Sequence, residues 1–134
     1  MSKLSKGKNQ SRLSPGWGFV SNSPEVGIGY SSGAGDNIIQ QSSRTTGVTI
    51  NNVTGLITLF SAAGSATPTS FTVTNSSVVH TDVIILNQST GTDLYELHVT
   101  DVAEGSFQIT FFTTGGTTTE TPIFNFAIIK GSDI

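Results

Sequence analysis

Asp82-Val83-Ile84-Ile85-Leu86-Asn87 sets four consecutive apolar residues, three of them β-branched, between two polar ones. Gln88, Ser89 and Gly91 follow at once. A run this short and this rich in β-branched side chains fits a strand better than a helix. With no polar residue among the four, it reads as a strand covered on both sides. The neighbouring apolar segments mostly alternate, so each can turn one face toward it.

Working outward, strand signals fall at residues 47–51, 55–60, 70–75, 94–100, 106–113 and 123–129. Turn materials separate them, among them Asn51-Asn52, Ala63-Gly64-Ser65, Thr67-Pro68, Glu104-Gly105 and Gly115-Gly116. Strand starts every ~8–15 residues give the rhythm of a sandwich or barrel, not of βαβ units. Phe71 and Val73 oppose Thr72 and Thr74, and Tyr95, Leu97 and Val99 oppose Glu96, His98 and Thr100. Phe107, Ile109 and Phe111 oppose Gln108, Thr110 and Phe112. The segment Ile123-Phe-Asn-Phe-Ala-Ile-Ile129 is apolar on both faces. The reading is an all-β, antiparallel β-sandwich of about seven or eight strands, of jelly-roll or similar Greek-key type, over residues 46–134. Ile123, Ile129 and Phe112, apolar on the faces opposite the core, are the candidates for self-association.

Residues 1–45 read as an extended N-terminal arm, rich in Gly, Ser, Asn and Pro and without sustained period. A structureless stretch of that length is usually functional or ordered by something else. Its tip carries Lys3, Lys6, Lys8 and Arg12, four of the six basic residues, with no acidic residue before Glu25. From Leu13 onward two basic residues face nine acidic ones, so a basic tail precedes an acidic body. Leu13, Trp17, Phe19, Val26, Ile28 and Tyr30 give the arm apolar grip, each large side chain worth ~1.5–3 kcal/mol when buried. With the basic tip, they form the expected contact set for another polypeptide; the alternative is that the arm folds back on its own β module.

The remaining chemistry is sparse. Without cysteine, disulfides and thiolate catalysis are excluded. No apolar region follows the basic start as in a signal peptide, and no run is long enough to span a membrane. Gly29-Tyr30-Ser31-Ser32-Gly33 matches G-x-S-x-G, a motif that works only on a strand-to-helix elbow. Glu96 and His98 share a strand face near Asp82 or Asp101, but two ligands do not make a metal site. The carboxylates are scattered at turn positions, and four basic residues without interleaved aromatics are a weak nucleic-acid signal. Asn52-Val-Thr, Asn75-Ser-Ser and Asn87-Gln-Ser match the glycosylation triplet but read as turn sequence. The expectation is no enzyme, no cofactor and no metal.

Two longer stretches carry a resemblance. Residues 27–59 contain GIGYSSGAGDNIIQQSSRTTGVTINNVTGLITL, and TDVIILN, AEGSFQITF and FNFAIIKG follow. These resemble a group of small β-sandwich virion proteins of tailed bacteriophages, over roughly residues 27–131. The resemblance implies a structural role without active-site residues: a capsid cement or decoration protein on the outside of the major capsid protein shell. It further implies a homo-oligomer, trimer before dimer, made in the host cytoplasm and located on the virion. An arm of ~40 extended residues could reach on the order of 130 Å across neighbouring subunits. The alternative within the same likeness is a receptor- or glycan-binding module of a tail or head fibre.

Overall fold

The computed structural model describes residues 21–132. The chain divides into two units, 1–30 and 31–134, each treated by itself. In the first, residues 21–30 are held by local turns: Val26 N–H donates to Ser23 O at 3.2 Å, and Ser21 Oγ to the Ser23 carbonyl at 3.0 Å.

In the second unit the described residues form strands and no helix. In chain order these are β1 (Gly35–Ile39), β2 (Val48–Thr49), β3 (Thr54–Thr58), β4 (Ala62–Ala63), β5 (Thr69–Thr74), β6 (Val83–Thr90), β7 (Tyr95–Ala103), β8 (Ser106–Thr113), β9 (Thr119–Glu120) and β10 (Ile123–Ile129). One four-stranded sheet runs β1-β3-β10-β6, a second β2-β5-β8-β7, and β4 pairs with β9 in a short ribbon. The arrangement is β-sandwich-like, with open edges.

Alternation builds the core. Phe71 and Val73 of β5, Phe107, Ile109 and Phe111 of β8, and Phe124, Phe126 and Ile128 of β10 all point inward and are buried. Rings from the two sheets meet edge to face across the interior, Phe107 with Phe126 at 5.3 Å and Phe111 with Phe124 at 5.6 Å between centroids. Such pairs add to the area they bury. Gly55 sits on the inner face of β3, where an added Cβ would come within 3.0 Å of the Phe126 ring. The hairpin between β7 and β8 turns at Glu104-Gly105, with Gly105 at φ 83°, a region open to glycine.

Three features differ from the sequence reading. First, pairing is mixed: β1 runs parallel to β3, and β2 parallel to β5. The chain crosses to the opposite sheet between the members of each pair, so it re-enters from the same end. Second, β1 lies within the stretch read as arm, and Gln40 and Arg44 are buried, so residues 35–45 belong with the β body. Third, the described residues cover β6 on one side only. It is the edge strand of its sheet, with Ile84 9% exposed but Val83 55% and Ile85 51%. Four apolar residues in a row identify a strand, but not which of its faces the chain itself covers.

Candidate interaction surface

The register places the outward residues of the first sheet in rows. Val83 of β6 lies opposite Ile129 of β10, and Ile85 opposite Ala127. The next row runs Asn87, Asn125, Leu56 and Asn37 across all four strands, with Asn87 Nδ2 donating to Asn125 Oδ1 at 3.1 Å. Ile123, Thr58 and Ile39 complete the face. Val83, Ile85, Ile129, Leu56 and Ile39 are all exposed, and none of these rows holds a charge.

The outer face of the second sheet is hydroxyl-rich. Ser70, Thr110 and Thr100 share hydrogen bonds, 2.7 Å between the first two and 2.8 Å between the last two. Thr100 also donates to Gln108 Oε1 at 2.9 Å. On the same face His98 stacks on Phe112, centroids 6.2 Å apart and planes 14° from parallel. Phe112 therefore lies on the other side of the molecule from Ile123 and Ile129. Two of the three self-association candidates, Ile123 and Ile129, share one face at opposite ends of β10, and the third lies on the other face.

Of the arm candidates, Lys3, Lys6, Lys8, Arg12, Leu13, Trp17 and Phe19 lie outside the described residues. Within the first unit Val26 is half-buried, Tyr30 is exposed, and Ile28 is 86% exposed.

The polar groups that do converge lie at one end of the body, with Arg44, Tyr95 and Asp93 buried and Glu120 half-buried. Arg44 donates through Nε to Phe60 O at 2.8 Å and through Nη2 to Glu120 O at 2.6 Å, and its guanidinium lies 5.9 Å from the Tyr95 ring centre. Tyr95 donates its hydroxyl to Glu120 Oε2 at 2.9 Å. Glu120 also accepts the backbone N–H groups of Thr92 and Asp93. Burial works to raise the Glu120 carboxyl, but those N–H groups and the Tyr95 hydroxyl outweigh it and hold the pKa below its ordinary value. Burial and the Glu120 hydrogen bond push Tyr95 up, against the opposing Arg44. Asp93 accepts Thr118 N–H and Oγ1 at 2.8 and 2.7 Å. The network ties β9 and the β6–β7 loop to the core, and its groups are consumed in holding one another.

A second buried carboxylate, Asp82, accepts Lys130 Nζ at 2.5 Å, Val79 N–H at 2.9 Å and Gly131 N–H at 3.0 Å. Burial acts to raise it and these bonds bring it below its ordinary value. It latches the end of β10 to the turn before β6.

The sequence reading missed Arg44 as an anchor. An isolated arginine in a body with one other basic residue was the available signal. Among the described residues no group of three or more His, Asp or Glu side chains could hold a metal ion. Gly29–Gly33 is followed by strand β1 and not by a helix, so the elbow its motif needs is not formed. No protein-family model, curated protein or solved structure matches the chain.

Proposed function

We propose that the chain is a structural virion protein, a capsid cement or decoration protein of a tailed bacteriophage. In this reading it binds the outside of the major capsid protein shell through its N-terminal arm and associates with its own copies through the body. The observation that carries the reading is the uncharged outer face of the β1-β3-β10-β6 sheet, where Val83, Ile85, Leu56, Ile129 and Ile39 stand exposed around a row of asparagines, on an acidic body whose converging polar groups are occupied in structural hydrogen bonds. Exposed apolar faces of this kind mark interaction sites. The residue-level likeness over 27–131 supplies the virion setting and the basic arm tip supplies a means of attachment.

The test is deletion of residues 1–12. The shortened protein is expected to stay folded and self-associated but to leave shells at raised salt, because exposed ion pairs are screened. Undiminished decoration by the truncated chain would remove the arm from the proposal.

The alternative, a glycan-binding module of a fibre, draws on the His98–Phe112 stack among the hydroxyls of the second sheet. Tyr95 is unavailable to it, being buried. His98→Ala with Phe112→Ser would abolish binding on a glycan array if that reading holds.

A further inference from the structure

The two long edges of the body are built differently. In the second sheet, β7 carries Glu96, His98 and Asp101, and its register shifts between Val99 and Asp101. Charges and bulges are the devices that stop an edge strand from pairing with another chain. In the first sheet, β6 reads VIILNQST over eight residues, without a charge or a proline.

Its outward backbone groups can be named. Ile128 N–H donates to Val53 O, so alternate residues of β10 turn toward β3 and the rest toward β6. Ala127 and Asn125, opposite Ile85 and Asn87, are among those turned toward β6. Ile84, Leu86 and Gln88 therefore direct their N–H and C=O groups away from the sheet. A shallow groove lined by Leu86, Gln88, Leu94 and Leu97 runs between the β6 and β7 edges. Leu94 is 64% exposed.

We propose that β6 is the self-association edge of this protein: two copies pair β6 antiparallel to β6 about a two-fold axis near Leu86, merging their first sheets into one. The inference shares with the proposed function only the premise of self-association. A second copy is the occupant that the charge distribution selects. Residues 31–132 hold seven acidic side chains against Arg44 and Lys130, so two bodies approach with least repulsion where neither bears charge. The axis at Leu86 sets Ile84 of each copy opposite Gln88 of the other and makes about six backbone hydrogen bonds. It sets Ile85 of each copy opposite Asn87 of the other, with the two exposed Ile85 side chains diagonal neighbours across the axis. Pairing through the first sheet alone, an edge roughly 27 Å long and about 10 Å deep, covers on the order of 500 Å² over the two copies, which makes the dimer a weak one that forms with rising concentration.

The experiment is sedimentation of the full-length chain over a concentration series, joined to amide exchange by NMR. A dimer is expected, in which the Ile84, Leu86 and Gln88 amides exchange slowly and become fast on dilution. Ile85→Lys, at an exposed position, should weaken dimerisation by ~100-fold or more, while Thr72→Lys on the opposite face leaves it unchanged. Two results would overturn the proposal: a monomer at all concentrations, or a dimer in which these amides exchange fast. The shell-binding assay of the truncated chain is independent, so failure of either proposal is seen separately.

Discussion

The two outer faces of the body have the same scaffold and opposite chemistry. Both are four strands wide, and both sheets bury aromatic rings in one shared interior. Yet one presents Val83, Ile85, Leu56, Ile129 and Ile39, while the other presents Ser70, Thr72, Thr74, Thr100 and Thr110. A hydroxyl face is satisfied by its own cross-strand bonds and by water. The apolar face gains only when something covers it. The fold therefore needs the inner residues of both sheets, whereas association needs the outer residues of only one.

That contrast can be broken at several points. The largest effect is expected at Phe124, which is fully buried and packs on both Tyr95 and Phe111. Phe124→Ala should cost ~3–5 kcal/mol in denaturant unfolding, loosening both faces together. Gly55→Ala, crowding the Phe126 ring, should cost ~1–3 kcal/mol by the same measurement.

The Asp82 latch comes next. Its pKa is lowered on folding, so its stabilisation is present above the ordinary carboxylate range and lost as pH falls through the depressed folded value. Glu120, lowered likewise, acts in the same direction. Stability should therefore fall on acidification below about pH 4. Asp82→Asn should flatten that loss while costing ~1–3 kcal/mol at neutral pH.

The smallest changes in stability separate the faces most cleanly. Ile129→Ser and Thr74→Ser should each shift unfolding by no more than ~0.5 kcal/mol. Only Ile129→Ser should reduce binding of a hydrophobic dye to the isolated protein. Equal dye binding by the two variants would show that this face is not exposed in solution.

Much of the scaffold was legible in the residues, because alternation states directly which side chains face inward. Phe107, Ile109 and Phe111 are the clearest instance, and all seven expected segments contain strands. What escaped was β1, whose Gly-Asp-Asn-Ile-Ile holds one inward apolar residue, Ile38, packed on the core. A strand paired on one side only needs little hydrophobic pattern, and its Gly- and Ser-rich surroundings imitate a linker. β4 and β9, two residues each, are too short to show a period. Edge position was equally hidden: nothing within Val83–Leu86 states which strand lies alongside. The Arg44–Tyr95–Glu120 cluster joins residues far apart in the chain, and no local pattern records it.

The place of β10 has one more consequence. This strand lies between β3 and β6 and is made after both. Until residue 129 has left the ribosome, β3 and β6 have no common neighbour and Phe107 has no ring to meet. Folding of the first sheet must then wait on contacts remote in sequence, which slows it and leaves the VIIL run bare during synthesis. The growing chain therefore passes through an adhesive stage, which closes once β10 is made and docks between β3 and β6.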